Sequence, residues 1–446
     1  MALVCFPFKK ERVPTVLRNV DIAVRHNCVD AVLLVGATKN ECYRKIYAAI
    51  EAKNNSDQPY AKPVHILVQT RLATVLRPGK GDGMNTAMQF FLNAHEQPAN
   101  HFTEPLKRLH FYDADIESFD HNWITKAEDG AALGYDVVRH YFPRSSTDAQ
   151  VTWQVTKVGF ALLWPRTTLP WVQQPLGGEL CFTRRVVEAL MAEPRVMQQS
   201  DWGIDTMYTF FCAQKGFSLL ESYVPQGKMH ALYGGLRDLK NMLCECFAAV
   251  QSLRHEPVSE EPTVHRIDPA TPVPSCITEK IGYDIEKSMR LLREKWTARQ
   301  KGLLELFPEK AKCGLLRASE WPEFMFMDEQ CWVSAYKVLL DHFNVFDEDW
   351  RELIFKMWVA RVLNYTMRHV TRGYHCALQA NTEMVTRLHM RRTMELFEGK
   401  PMQPLDRKVS SGHLCTPESP PSPSSSWGIE PLQPLSPVTS YGRSER

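Results

Sequence analysis

Short apolar runs alternate with amphipathic stretches along the first half of the chain, up to about residue 235. The apolar runs have the length of buried strands, and they are Leu3–Phe6, Ala31–Val35, His65–Gln69 and Leu109–Tyr112. The stretches between them repeat apolar residues at helical spacing, and they are Pro14–Val24, Glu41–Lys53 and Met84–Ala94. This order predicts βαβ units in a largely parallel sheet. Ligands bind such sheets beyond the carboxyl ends of the strands.

From residue 238 onward the pattern changes to long helical periods. The predicted helices are Asp238–His255, Tyr283–Phe307, Asp328–Phe343, Trp350–Tyr365 and Ala377–Phe397. Residues 256–274 contain five prolines and are predicted to cross the surface as an irregular segment. After residue 399 proline and serine dominate, which predicts a disordered tail. We therefore expect an α/β domain over 1–237, a helical domain over 238–398 and a disordered tail over 399–446.

Composition narrows the class of protein. Hydrophobic residues make up 44% of the 446 positions and the net charge is only +2, so neither wholesale disorder nor a nucleic-acid-coating surface is indicated. The twelve cysteines are scattered, as expected of reduced thiols in a cytosol. We see neither a secretory signal nor an apolar run near the ~20 residues of a membrane helix. We predict a cytoplasmic protein with no nucleic-acid or membrane partner; self-assembly stays open.

The most informative local motif is an apolar strand that ends in two aspartates, Asp113 and Asp115. Side chains at positions i and i+2 of a strand share a face, so the two carboxylates are expected to lie close together and to repel each other. A divalent cation bound to diphosphate oxygens would relieve that repulsion. A solvated strand end with two unconnected acids is the open alternative, because the motif is short.

Three further segments add candidate chemistry. Arg77 and Lys80 flank a glycine-rich helix start, where backbone amides and cations attract phosphate, although solvated charges would give the same pattern. Trp202 lies beside acids, as in a carbohydrate platform, or is a core residue behind a helix cap. His230 is a possible ligand for a cation, but a single histidine is more often structural.

Taken together, seven ordered blocks resemble the mannosylglycerate synthases, retaining GT-A-fold glycosyltransferases of glycosyltransferase family 78. The resemblance runs from residue 1 to about 398. The blocks are FPFK at 6–9, LRPGKGDGMNTA at 76–87, HFYDAD at 110–115, VRHYFPR at 138–144, QPLGGEL at 174–180, SDWGID at 200–205 and LYGGL at 232–236. It implies a GT-A (Rossmann-like) catalytic domain followed by an all-helical domain.

The resemblance also implies a reaction and a set of donor residues. Mannose would pass from GDP-mannose to the 2-hydroxyl of D-glycerate with retention, giving 2-O-α-mannosyl-D-glycerate, a compatible solute, and GDP. The cation would be Mg²⁺ or Mn²⁺, with Ca²⁺ or Co²⁺ as further candidates. The implied donor residues are Pro7, Phe8, Lys9 and Gln69 around guanosine, with Glu11 weaker; Lys80 and Tyr233 near the phosphates; Asp113 and Ala114 near ribose or sugar; and Asp115 and His230 on the cation.

The remaining implied residues surround the sugar and the acceptor. Asp205 would hold mannose hydroxyls. The adjoining wall would consist of Leu176, Gly177, Gly178, Glu179 and Trp202. Arg144 and Thr152 would bind the acceptor, and a guanidinium suits a carboxylate because it binds both oxygens at once. Catalysis would rest on Asp205, Asp113, Asp115 and Lys80.

Several alternatives remain open from the residues alone. Retention is consistent with a same-face attack, which the resemblance favours, and with Asp205 as a nucleophile. A related enzyme that uses GDP-glucose or another small hydroxy-acid would carry similar motifs. A sugar nucleotidyltransferase would also use paired aspartates and a glycine-rich phosphate corner, but it would release pyrophosphate. A catalytically inactive binding protein is disfavoured, because all the implied ligands are present.

Overall fold

The computed structural model describes residues 1–73, 75–96, 102, 104–145, 147–230, 235–261, 264–267, 281–318 and 323–400. Within them, one mixed sheet has the strand order β3-β2-β1-β4-β6-β5-β7-β8. The strands are β1 Ala2–Phe8, β2 Ala31–Gly36, β3 Val64–Val68, β4 Arg108–Phe111, β5 Val137–Tyr141, β6 Leu180–Thr183, β7 Leu219–Tyr223 and β8 Val264–Ile267. Only β6 runs antiparallel to its neighbours, so the carboxyl ends of the other seven strands meet at one edge.

The sheet is covered on both faces, as its continuous apolar strands predict. Leu3 and Cys5 belong to one buried cluster, and Val4 and Phe6, one residue further along, belong to another. The four predicted strands and the three helices between them are all present. The third helix begins at Lys80 and not at Met84, so the glycine-rich segment is itself helical.

Up to residue 252 the helices are α1 Val13–Arg25, α2 Glu41–Asn54, α3 Lys80–Asn93, α4 His121–Ala132, α5 Lys157–Leu163, α6 Arg184–Met191, α7 Pro194–Gln198, α8 Ile204–Gln214 and α9 Lys240–Ser252. A π-helical turn, Thr152–Thr156, leads directly into α5. The later helices are α10 Ile285–Leu292, α11 Ala298–Leu304, α12 Glu309–Ala318, α13 Glu329–His342, α14 Glu348–His369 and α15 Tyr374–Phe397. Short 3₁₀ turns occupy Ala94–Glu96, Leu169–Trp171, Leu236–Leu239 and Val370–Arg372.

Two predictions about the second half are wrong in detail. The single helix expected over Tyr283–Phe307 is divided into α10 and α11, because Thr297 starts a new helix by a reciprocal capping box with Gln300. The irregular segment expected over 256–274 contains β8, whose pairing with β7 supplies the edge of the sheet. An edge strand only four residues long carries too little periodicity to be recognised among prolines.

The helical region shares a buried core with the first half. Val155 and Val158 belong to the same apolar cluster as Trp332 and Trp358, and α9 contacts both α8 and α14. The boundary predicted between residues 237 and 238 stays a prediction. The disordered tail predicted from 399 falls, from residue 401 onward, outside the described residues. None of the described helices combines the length and the apolar character needed to cross a bilayer.

Candidate active site

The two aspartates of the strand-end motif lie in the loop after β4. The strand ends at Phe111, so the expected alternation of side chains along a strand does not apply to Asp113 and Asp115. The buried Asn19 of α1 fixes this loop, because its side-chain amide donates to the carbonyl oxygens of Ala114 and Ile116 at 3.3 and 3.0 Å. Both aspartates nevertheless line one cavity, as predicted from their position at the carboxyl end of the sheet.

Lys80, the first residue of α3, faces two acids from distant segments. Its Nζ donates to Oδ2 of Asp205 at 2.9 Å and lies 3.7 Å from Oδ1 of Asp113. It also lies 5.4 Å from the centre of the Trp202 ring. Burial disfavours the charged lysine, but the carboxylates outweigh it and raise the pKa of Lys80 above its usual value. Lys80 is therefore a fixed cation at this site.

Lys228 is a second buried cation, and the sequence did not single it out. Its Nζ donates to Oδ2 of Asp113 and, at 2.5 Å, to Oε1 of Glu179. Burial opposes the charge of Lys228, yet Asp113 and Glu179 raise its pKa. Asp113, contacted by both lysines, has a pKa held well below the usual range although its partial burial opposes this. The pKa of Glu179 is raised because burial outweighs the attraction of Lys228.

Asp115 differs from the other acids of the site in the charges that surround it. Among the described residues it forms no salt bridge, and its pKa is raised by burial and by the nearby charge of Asp113. Attraction to Lys228 and His230 offsets this only in part. With Asp113, Asp115, Glu179 and Asp205 ionised, the two lysines leave excess negative charge on the cluster, which the nearby buried Arg139 reduces but does not remove.

One cavity of about 110 Å³ brings most of the predicted site residues together. The predicted residues that line it are Lys80, Asp113, Asp115, Arg144, Thr152, Leu176, Gly177, Gly178, Glu179, Trp202 and His230. Gly178 is needed for close approach, because a Cβ there would lie 2.5 Å from Nζ of Lys80 and 3.0 Å from Oδ1 of Asp113. Trp202 is half-buried: it lines the cavity and also packs against the apolar cluster that contains Trp332 and Trp358, so it combines features of both interpretations.

The acceptor candidates occupy one side of this cavity. Nε of Arg144 lies 3.0 Å from Oδ2 of Asp148, and its guanidinium lies 5.3 Å from the centre of the Phe142 ring. Arg144 lowers the pKa of Asp148 although burial opposes this. Ala149 follows with φ of 56°, the only positive value among the described non-glycine residues, and also lines the cavity. Backbone strain of this kind concentrates at ligand sites.

The nucleotide candidates lie apart from that cavity, at the carboxyl ends of β1 and β3. A Cβ on Gly83 would lie 3.4 Å from Oε1 of Gln69 and 3.8 Å from Cβ of Pro7, so these two residues flank α3 together. Phe8 stacks on Tyr43 with ring centres 6.0 Å apart.

The neighbouring candidates complete this part of the site. Lys9 is exposed, and its amide donates to Glu11, whose pKa is raised mainly by burial. Ala114 is buried beside the aspartates. Tyr233 lies outside the described residues.

Arg77 has a different role from the one its sequence position suggested. Instead of facing the cavity, its Nε and Nη2 donate to both carboxylate oxygens of the buried Glu245, at 2.7 and 2.9 Å. Glu245 also accepts from the amide of Trp202 at 3.1 Å. The pair joins the glycine-rich segment to α9, and only the folded chain brings these residues together. Arg77 is thus a structural cation, whereas Lys80 is the one that reaches the cavity.

Comparison with known proteins decides the family. Residues 2–252 match the profile of the mannosylglycerate synthase GT domain, and residues 277–385 match that of the mannosylglycerate synthase C-terminal domain. A mannosylglycerate synthase of Selaginella moellendorffii is 55% identical over 388 residues, covering 86% of this chain and 89% of its own. A mannosylglycerate synthase of Rhodothermus marinus is 48% identical over 404 residues, covering 91% and 98%.

The chain belongs to the mannosylglycerate synthase family. It is therefore a glycosyltransferase, and the α/β fold with a helical C-terminal region expected from the sequence is confirmed for the described residues. Solved structures of glucosyl-3-phosphoglycerate synthase from Mycobacterium tuberculosis are more distant. One, in complex with Mg²⁺ and uridine diphosphate, has 15% identity and a TM-score of 0.44, covering 58% of this chain and 81% of its own.

One other cluster in this family member has the residue types of a metal site. His110 of β4, Cys181 of β6 and Glu128 of α4 are buried together, and Nε2 of His110 lies 2.6 Å from Oε1 of Glu128 and 3.5 Å from Sγ of Cys181. Nε of Arg108 also donates to Glu128 at 2.8 Å. The direct contacts satisfy these groups within the fold, and none of them lines the cavity. The cluster is a buried ion pair that joins β4 to α4.

Proposed function

We propose that this chain transfers mannose from GDP-mannose to the 2-hydroxyl of D-glycerate with retention of configuration, and that a divalent cation assists. Membership of the mannosylglycerate synthase family supports this reaction. The observation that carries the proposal is the charge of the cavity. Asp113, Asp115 and Glu179 line it together with Lys80 and Lys228, beside a guanidinium on the acceptor side. Asp205 does not line the cavity but contacts Lys80.

Asp115 and His230 would hold the cation. Both line the cavity, and Asp115 is the acid that lacks a salt bridge among the described residues. The excess negative charge of the cluster favours a bound cation. A carboxylate with an imidazole suits Mn²⁺, whereas Mg²⁺ would rely mainly on the carboxylate. When bound, such an ion neutralises charge on the diphosphate as it leaves.

Asp205 is suited to hold the sugar. Its Oδ2 accepts a hydrogen bond from Lys80, while its Oδ1 is buried and has no hydrogen-bond partner in the part of the chain that the structure describes. A buried acceptor left unsatisfied costs roughly 1–3 kcal/mol, and a sugar hydroxyl that donated to it would recover that cost. Fixed in this way by Lys80 and only 2% exposed, Asp205 favours hydroxyl binding over nucleophilic attack. We therefore favour attack on the same face from which the diphosphate leaves.

Arg144 and Thr152 would orient the acceptor in this reaction. The guanidinium of Arg144 would bind the carboxylate of D-glycerate, in place of or together with Asp148. The 2-hydroxyl oxygen then forms the bond to the anomeric carbon as the bond to the diphosphate breaks, and its proton passes to the diphosphate. Lys80 and Lys228 hold the neighbouring carboxylates in place, so they need little rearrangement during the step.

The nucleotide would lie along the carboxyl ends of β1 and β3, between Pro7, Phe8, Lys9 and Gln69. Pro7 and Gln69 face the same glycine of α3, which supports a common role. We also propose a cytoplasmic location. All ten cysteines in the described part of the chain are free thiols, which suits a reducing compartment.

The test is to incubate the purified protein with GDP-mannose, D-glycerate and Mg²⁺ and to identify the product and its anomeric configuration by NMR. We expect an α-mannosyl-D-glycerate, with GDP released only when D-glycerate is present. GTP with mannose 1-phosphate serves as the second arm. Pyrophosphate release in that arm, or no transfer in the first, would refute the proposal.

A further inference from the structure

The candidate acceptor residue Thr152 opens a π-helical turn, a rare form of helix that often accompanies functional sites. The helix runs from residue 150 to 163, and within it the amide of Lys157 donates to the carbonyl oxygen of Thr152, five residues earlier. Gln150, Val151 and Thr152 all line the cavity. A π turn contains one residue more than an α turn, so it sets the direction in which these three side chains point.

Three aromatic side chains of the helical region donate to backbone carbonyl oxygens in or beside this turn. Nε1 of Trp332 donates to Gln154 O at 2.8 Å, and the hydroxyl of Tyr336 donates to Val155 O at 2.9 Å. Nε1 of Trp358 lies 3.4 Å from Gln150 O. A widened turn leaves carbonyl groups poorly aligned with the amides that follow, and buried carbonyls require partners. Trp332 and Tyr336 supply them.

The side chain of Gln154 anchors the same turn a second time. It is fully buried; its Oε1 accepts from Nε of Arg361 at 3.0 Å and its Nε2 donates to Oδ1 of Asn381 at 3.1 Å. Arg361 is buried; among the described residues its guanidinium contacts Gln154, Asn364 and Met384 and forms no salt bridge. A buried cation without a counter-ion reduces stability. An apolar residue of the same size could not make the hydrogen bond to Gln154, so this contact accounts for a buried arginine here.

We infer that the helical region holds the acceptor side of the active site in shape, with Tyr336, Trp332 and Arg361 as positioning residues that act through the π turn. The inference rests on the proposed role of Thr152. If the turn relaxed to an α-helix, it would no longer contain the additional residue. The start of the helix would then rotate by about 100° relative to α5. Thr152 would then point away from the cavity, whereas the donor residues would keep their places.

Gly159 is a feature of the sequence that reflects this arrangement. A Cβ on Gly159 would lie 2.5 Å from the hydroxyl oxygen of Tyr336 and 2.5 Å from Cγ1 of Val250. Glycine at this position in the interior of α5 lowers helix propensity. Its presence allows Tyr336 to approach the turn closely enough to donate to Val155.

The experiment compares two variants that each remove one buried tyrosine hydroxyl. Tyr336→Phe deletes the bond to Val155 O, and Tyr365→Phe deletes a bond of the same length, 2.9 Å, to Ala377 O away from the turn. We expect Tyr336→Phe to raise the KM for D-glycerate about three- to tenfold, the range that loss of one buried hydrogen bond spans. The KM for GDP-mannose should stay within about twofold, and Tyr365→Phe should leave both unchanged.

A second pair of variants tests the side-chain anchor. Gln154→Met removes all three polar contacts of this side chain, with Arg361, Asn381 and Gln150, at nearly equal volume and should raise the KM for D-glycerate more than tenfold. Gln154→Glu keeps an acceptor for Arg361 and should recover part of the loss. Equal effects of the two tyrosine variants on the KM for D-glycerate would overturn the inference. If the unaltered protein transfers nothing to D-glycerate, the proposed function fails instead. Hydrogen exchange then decides the inference: equal rates at residues 150–156 in both tyrosine variants would refute it.

Discussion

Replacing Lys228 by methionine tests the electrostatic structure of the site directly. The ammonium group bridges Asp113 and Glu179, and methionine fills similar space without a charge. Breaking a buried ion pair from one side costs about 3–5 kcal/mol, because the remaining charge is left without compensation. Asp113 is one-third exposed and stays 3.7 Å from Lys80, so most of the loss comes from Glu179, whose side chain is only 1% exposed. We therefore expect about 3 kcal/mol, the lower end of that range.

The loss should depend on pH with a definite sign. In the variant, burial without Lys228 raises the pKa of Glu179 further above its unfolded value, so the folded state binds a proton that the unfolded state releases. Stability is then greatest below the unfolded pKa of about 4.5 and falls as the pH rises. The difference from the unaltered protein should therefore be larger at pH 8 than at pH 5.

Urea unfolding measures this difference, and two further variants provide the controls. Adding Glu179→Gln to Lys228→Met removes the stranded charge and should restore more than half of the lost stability. Lys312→Met also removes a lysine with two acidic partners, Glu305 and Glu309, but this cluster is exposed and should contribute less than about 1 kcal/mol. A Lys228→Met variant as stable as Lys312→Met, or a double variant no more stable than Lys228→Met alone, would refute the reasoning.

Three other predictions address the metal, the acceptor and the sheet. Asp115→Asn should lower kcat/KM at least about a hundredfold and weaken Mn²⁺ binding in calorimetry with GDP; unchanged binding would remove Asp115 from the cation site. Arg144→Lys should raise the KM for D-glycerate about tenfold with little change for GDP-mannose, because the two-point contact is lost; equal increases for both would contradict this. Although burial opposes it, Cys181 and Glu128 raise the pKa of His110 from 6.5 to about 9, which corresponds to about 3 kcal/mol. That stabilisation is complete below pH 6.5 and disappears as the pH rises through 9. Between pH 7 and pH 10, the free energy of unfolding measured with urea should therefore fall less in His110→Gln than in the unaltered protein.

The sequence predicted those parts of the site that depend on local order along the chain. Apolar runs located β1 to β4, and the end of β4 located Asp113 and Asp115 at the carboxyl edge of the sheet. Residues at strand ends are accessible to this reasoning because a parallel sheet places such ends together. The family resemblance then added residues from separate loops, such as Arg144.

Contacts between distant segments were not accessible in the same way. Lys228 is 115 residues from Asp113, and no periodicity or motif marks it as a partner. Arg77 looked like a phosphate ligand because its neighbours are glycines, but its partner Glu245 is 168 residues away. The π turn at Thr152 depends on side chains about 180 residues later, so the local pattern indicates only a helix.

The close packing at Gly81 has a consequence for exchanging segments between relatives. A Cβ there would lie 2.0 Å from the carbonyl oxygen of Gln199, and the amide of Asp82 donates to Ser200 O at 3.1 Å. The start of α3, which carries Lys80, and the segment before α8, which leads to Asp205, are therefore fitted to each other backbone to backbone. Exchange of these segments between relatives should succeed only when both are transferred together. Either segment alone would pack against a backbone that differs from its native partner.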